Sequence, residues 1–151
     1  MDMNRFTQKS QEALGEAQTI AVQRGHQEVD GEHLLLALLD QPEGLVPRLL
    51  QALDVPLDGF RDRLLRALDK LPSVSGPGVE GGKIYVTQRL NKLMVQAEKE
   101  AKQLKDEYIS VEHLALALIR EGDRSPAGKV FAALGITPER FLEALVGVHR
   151  G

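Results

Sequence analysis

Two stretches decide the fold: Glu32-His33-Leu34-Leu35-Leu36-Ala37-Leu38 and, eighty positions on, Glu112-His113-Leu114-Ala115-Leu116-Ala117-Leu118. Working outward from them, Thr7-Gln8 matches Thr87-Gln88, Ala17 and Ala21 match Ala97 and Ala101, and Gln23 matches Gln103. One inserted residue moves the offset to 81, and the series continues with Ala52-Leu53 against Ala133-Leu134, Phe60 against Phe141 and Leu64 against Leu145. An ordered series of this kind marks a duplicated unit, which predicts two copies of one local fold packed with pseudo-twofold symmetry.

Each unit reads as four helices. Thr7 is a fitting N-cap, because its oxygen can accept an orphan N–H of the first turn. Behind it Ala13, Leu14, Ala17, Ile20 and Ala21 recur at helical spacing, and Gly25 supplies a stop. Asp30 can cap a second helix with Glu32 in its first turn, where the helix dipole favours a carboxylate. The run Leu34 to Leu39 is apolar all round, as a buried central helix requires. Helices near 45–53 and 57–69 complete the unit. In the second unit Thr87 and Ser110 take the capping positions, and Ser125-Pro126 and Thr137-Pro138 place a cap before proline at the first helical position. No stretch sustains period-two alternation, so the expected fold class is all-α, about eight helices in two tandem four-helix repeats. Repeat 1 is placed at about 5–70 and repeat 2 at about 86–148. The segment between them, about 71–85, is read as a linker, since Pro72 to Gly82 holds two prolines and four glycines. Each half alone buries little core, so residues 1–151 are read as one domain.

Composition narrows the chemistry. The chain has 151 residues, no Cys, no Trp, 22 acids against 19 Lys plus Arg, and a net charge of −3. Absence of cysteine excludes disulfides, thiol nucleophiles and thiolate metal sites. The negative balance argues against nucleic acid as a partner. The first residues lack a signal-peptide pattern, and no apolar run is long enough for a bilayer, so no membrane partner and a cytoplasmic location are expected.

Catalytic motifs are missing. Gly78-Val79-Glu80-Gly81-Gly82-Lys83-Ile84 invites a phosphate-loop reading, but the first glycine position is Pro77 and the Ser/Thr position is Ile84. His26, His33, His113 and His149 show no metal-ligand spacing, so neither metal nor cofactor is expected. His33 and His113 are repeat equivalents, read as half-buried structural rings bonded to a neighbouring turn. A hydrolase built on either one is the rival reading. The mixed-sign helix around Gln96 to Glu107, with Glu98 four residues before Lys102, reads as a solvated face. Leu90 and Leu93 replace Ser10 and Ala13 of the first unit. They are core candidates that could instead line an exposed inter-repeat groove for apolar peptide segments.

Arg5-Phe6-Thr7, Gly31-Glu32-His33-Leu34-Leu35 and Tyr108-Ile109-Ser110-Val111-Glu112-His113-Leu114, in duplicate order, resemble the Clp amino-terminal domain family from about Asn4 to about Val148. The stretch Leu71 to Gly76 is most similar to ClpB disaggregases, with ClpC and ClpA unfoldases next. The resemblance implies a non-catalytic domain seated on a homohexameric AAA+ ring, which receives unfolded or aggregated proteins or adaptor proteins. It does not separate an excised domain from a free-standing ring accessory. It further implies substrate-binding roles for Thr7, Asp106 and Glu112 as in ClpB relatives. From ClpC relatives it implies phosphoarginine sites at Glu32 with Thr7 and at Glu112 with Thr87. Carboxylates suit guanidinium and helix starts suit phosphate. The plainer roles of these residues are caps for Thr7 and Thr87 and dipole partners for Glu32 and Glu112. The isolated domain is expected to be a monomer.

Overall fold

The computed structural model describes residues 2–73 and 84–150, with the side chains of 149 and 150 left aside. Among the described residues eight α-helices run in order: α1 Gln8–Gln23, α2 Gly31–Leu39, α3 Leu45–Ala52 and α4 Leu57–Asp69, then α5 Gln88–Gln103, α6 Val111–Glu121, α7 Pro126–Ala133 and α8 Pro138–Arg150. The all-α expectation holds, and the helices fall at the positions that the repeat predicts. Most of the segment expected as a linker lies outside the described residues.

The caps form as their residue types demand. Thr7 Oγ1 accepts from Ser10 N at 3.2 Å and Thr87 Oγ1 from Leu90 N at 3.0 Å. Ser125 Oγ accepts from Gly128 N at 3.0 Å and Thr137 Oγ1 from Arg140 N at 3.2 Å. At α2 and α6 the third helical residue is histidine, and it does what glutamate or glutamine does in a capping box. His33 Nδ1 accepts from Asp30 N at 3.0 Å, and His113 Nδ1 accepts from Ser110 N at 2.8 Å. Both rings are 1% exposed or less, deeper than the half-burial that the sequence suggests.

Helix ends follow the duplication too. Gly25 and Lys105, at equivalent positions, both have positive φ, 73° and 60°, and so do Asp54 and Gly135, at 59° and 71°. The chain must turn left-handed there to leave the helix, so repeat position fixes the conformation whether or not glycine is present.

The core is built from both repeats. Every residue of α2 is buried, and α6 is buried from Val111 to Ile119. Across the pseudo-twofold α2 meets α6, α3 meets α8 and α4 meets α7. The rings of Phe60 on α4 and Phe131 on α7 stack edge-on at 5.2 Å, both fully buried. Full burial of such a side chain contributes roughly 1.5–3 kcal/mol.

Two short crossings, which the sequence patterning does not announce, tie the repeats together. The strand β2, Tyr85–Val86, just before α5, runs parallel to β1, Glu28–Val29, in the α1–α2 connection. In the mirror position the segment before α1 pairs with the α5–α6 connection. There Thr7 N donates to Ile109 O at 3.0 Å and Ile109 N donates to Arg5 O at 2.8 Å. Each repeat thus enters its first helix from the other repeat's connection. Two-residue ladders are too short to show period-two alternation, which is why only the fold reveals them.

Candidate functional site

The crossing at Thr7 creates a groove. Thr7, Ser110 and Glu112 stand on its floor where α1 and α6 begin. The wall is the α5–α6 connection with Leu104, Asp106 and Tyr108, and Leu145 and Val146 of α8 close the other side. The groove encloses about 590 Å³. Leu104, Tyr108 and Val146 are 39%, 49% and 49% exposed, large apolar surfaces gathered around carboxylates. Three residues singled out in the sequence, Thr7, Asp106 and Glu112, are therefore brought into one place. Leu104, Tyr108 and Val146 were not singled out, because nothing in a helical repeat pattern says which apolar residues stay outside the core.

Thr7 is anchored rather than free to move. Its hydroxyl donates to Ser10 Oγ at 3.0 Å, and Ser10 Oγ donates onward to Ile109 O at 3.0 Å. Asp106 is anchored by His113. Because Nδ1 of His113 accepts a backbone N–H, its Nε2 carries the proton and donates it to Asp106 Oδ2 at 2.8 Å. Half of the Asp106 side chain remains open to solvent.

The pseudo-symmetric counterpart is closed. Asp106 is replaced there by His26, whose Nδ1 accepts a hydrogen bond from His33 Nε2 at 2.7 Å. Burial first, and His26 next, hold His33 down to about 4, so this ring is neutral at pH 7. Glu32 is fully buried. One oxygen accepts from Ala127 N at 3.1 Å, at the start of α7, and the other has no hydrogen-bond partner among the described residues. Arg89 stands 3.9 Å from that second oxygen and grips Asp30 with contacts of 2.8 and 3.2 Å. Burial, with Asp30 adding to it, raises the Glu32 carboxyl above the usual range, and burial likewise raises Glu121. The chain's own guanidinium thus occupies the carboxylates on this side. Its repeat equivalent is Lys9, which is paired with Glu12 on the surface.

Three sequence expectations change. Leu90 and Leu93, core candidates that could instead line an exposed groove, are each 3% exposed and take the core alternative, because α5 turns this face onto the core. Leu93 still forms part of the wall of an 840 Å³ cleft with Arg89, Lys92 and Arg120. The grouping of Glu32 with Thr7 is replaced by Thr7 with Glu112, because the entry segments cross over. Thr87 caps α5, and its N–H donates to Val29 O at 3.3 Å, three residues before Glu32. Among the described residues no cluster of His, Cys, Asp and Glu is arranged to hold a metal, and no helix is long and apolar enough to cross a membrane.

The sequence model of the Clp repeat (R) N-terminal domain matches residues 5–134, the first repeat and the second as far as α7. The chain belongs to the Clp repeat N-terminal domain family. This Clp domain is 48% identical over 149 residues to the chaperone protein ClpB of Nitratidesulfovibrio vulgaris, covering 99% of the chain and 17% of that protein. It therefore spans about one sixth of the length of the curated relatives that it matches. Among solved structures it resembles the N-terminal domain of Hsp104 from Candida albicans, with a TM-score of 0.78 and 22% identity over 95% of this chain and 91% of that one. It also resembles the N-terminal domain of the ClpV1 ATPase from E. coli, with a TM-score of 0.77 and 27% identity over 93% and 83%. In the Clp domain described here Arg89 was not singled out in the sequence. The available signal was the change from Lys9 to Arg89 between repeats, opposite a change from Ser110 to Asp30.

Proposed function

We propose that this Clp repeat domain recruits unfolded or aggregated polypeptide for a ClpB-type AAA+ disaggregase, and that Thr7, Asp106 and Glu112 mark where the polypeptide lands. The observation that carries this reading is the groove itself. It combines exposed Leu104, Tyr108 and Val146 with the carboxylates of Asp106, Glu107 and Glu112. Unfolded chain offers apolar side chains, which gain by leaving water, and basic side chains, which gain from nearby carboxylates. A small open groove binds weakly, and weak binding suits a substrate that must pass on to a ring. Six copies around a homohexamer raise the effective concentration without tight single contacts. In this reading the two repeats act as one monomeric, cytoplasmic binding domain that performs no catalysis. Leu93 contributes through the neighbouring cleft, and Thr87 and Leu90 act by holding α5 in place.

The second reading is an adaptor- or phosphoarginine-binding domain of a ClpC- or ClpA-type unfoldase. Thr7 beside Glu112 favours it at the open groove. The carboxylate pocket at Glu32 speaks against a second such site, since Arg89 already fills it. Fluorescence anisotropy of the domain with unfolded casein, and with arginine and phosphoarginine peptides, separates the readings. Casein binding that is lost in Tyr108→Ala supports recruitment. Binding of the phosphoarginine peptide alone, lost in Glu112→Ala, replaces it with the second reading. No binding to either leaves a folded adaptor as the partner to seek.

A further inference from the structure

Away from the groove, α4 and α7 meet across the pseudo-twofold and leave a cavity of about 430 Å³. Four cations line it, Arg63 and Arg66 of α4, Lys70 at its C-terminal end and Lys129 of α7, and among the described residues no carboxylate does. All four are exposed. Spacings of three and four residues set Arg63, Arg66 and Lys70 on one face. Asp69, next to Lys70 in sequence, is drawn away to Arg24 at 3.0 Å. Arg66 spends only its Nε, on the Asp62 carbonyl at 3.4 Å. No ion pair joins Arg63, Lys70 or Lys129 to another described residue. Between the cations the surface is apolar, made by Leu71, Val130 and Ala133.

This concentration of positive charge stands on a chain whose net charge is −3, so the remainder is acidic. Charge this segregated steers a partner of opposite sign to one place, within the ~8 Å reach that physiological salt permits. We propose that the α4–α7 face is a docking surface for an acidic amphipathic segment of another protein. Carboxylates of that segment would meet Arg63, Arg66, Lys70 and Lys129, and an apolar side chain between them would cover Leu71 and Ala133. The guanidinium forks favour carboxylates with bidentate geometry. The apolar floor favours a peptide, whose side chains alternate in character, over a bare polyanion. The partner chemistry is opposite to that of the acidic groove at Asp106, so the two faces can be engaged by different segments at once.

The test uses the 151-residue chain and a labelled peptide in which glutamates alternate with leucines. Anisotropy should show salt-sensitive binding that disappears when the glutamates are replaced by glutamine. Lys70→Glu with Lys129→Glu should weaken it by about tenfold or more, while Lys9→Glu with Lys92→Glu, the same charge change elsewhere, should weaken it less than about twofold. Tyr108→Ala should leave it unchanged, which separates this face from the groove. All substituted side chains are exposed, and thermal unfolding verifies that the variants fold. Absence of binding, or equal loss in both charge-reversed pairs, overturns the proposal. So does binding of a single-stranded oligonucleotide or of phosphatidylglycerol vesicles that matches the peptide and is lost in the same pair.

Discussion

His113 and Asp106 stand 2.8 Å apart, and this bond joins the cap of a buried helix to a carboxylate at the rim of the groove. The imidazole is fully buried while the carboxylate is half open. One edge of the ring holds the start of α6, and the other holds Asp106 in its place on the wall. The groove's charge is therefore positioned by the same residue that starts the central helix of the second repeat.

Replacing Asp106 by Ala removes the acceptor of a buried N–H and should cost about 1 kcal/mol, the low end of the range because water can reach the site. Asp106→Asn keeps an acceptor oxygen and should stay within about 0.5 kcal/mol of the parent. Urea unfolding gives both values. If the carboxylate charge attracts basic segments, Asn nevertheless weakens binding of an arginine peptide. Equal peptide affinity in parent and Asn variants would falsify that role.

Stability should fall as pH drops from 6.5 toward 4. The His33 pKa is depressed in the fold to about 4 from an ordinary value of 6.5. The unfolded chain therefore binds the extra proton first, and the slope of stability against pH is positive in this window. The contribution is fully present above 6.5 and amounts to ~3 kcal/mol. His26, also depressed, chiefly by burial, adds in the same direction. Glu32, raised by burial, acts oppositely, its contribution being present below its unfolded pKa and lost as pH rises through the folded one. His33→Gln keeps a capping-box residue and removes the titration. Unfolding midpoints measured across this range should then show a flatter profile, and an unchanged slope would remove His33 as its source.

Tyr108 and Leu90 should separate binding from stability. Tyr108→Ala removes an exposed ring and should alter stability by no more than about 0.5 kcal/mol, while casein affinity drops several-fold. Leu90→Ala opens a cavity under α5 and should cost ~2–5 kcal/mol. Paired unfolding and anisotropy measurements check both. A Tyr108 variant that binds casein as the parent does would move the landing place elsewhere.

Lys105→Gly should raise stability by about 1 kcal/mol, since a non-glycine residue at φ 60° carries a steric cost that glycine lacks. The equivalent Gly25→Ala should lower it by a similar amount, because φ is 73° there. Thermal midpoints of the two variants should move in opposite directions.

The sequence by itself determined the duplication, the eight helices and their caps, because these are local: hydroxyls, prolines and apolar spacing act within one or two turns. It also picked out Thr7, Asp106 and Glu112 through a family likeness. Only the tertiary structure decided which of these residues share a groove. The segments before α1 and α5 exchange partners across the pseudo-twofold, and a crossing of two or three residues leaves no periodicity to read. The same holds for burial. Leu90 and Tyr108 are both large and apolar; α5 packs the first onto the core, and the α5–α6 connection leaves the second in solvent. Arg89 closing the pocket at Glu32 depends on two substitutions, from Lys9 and from Ser110, that are far apart in the chain and meet only in the fold.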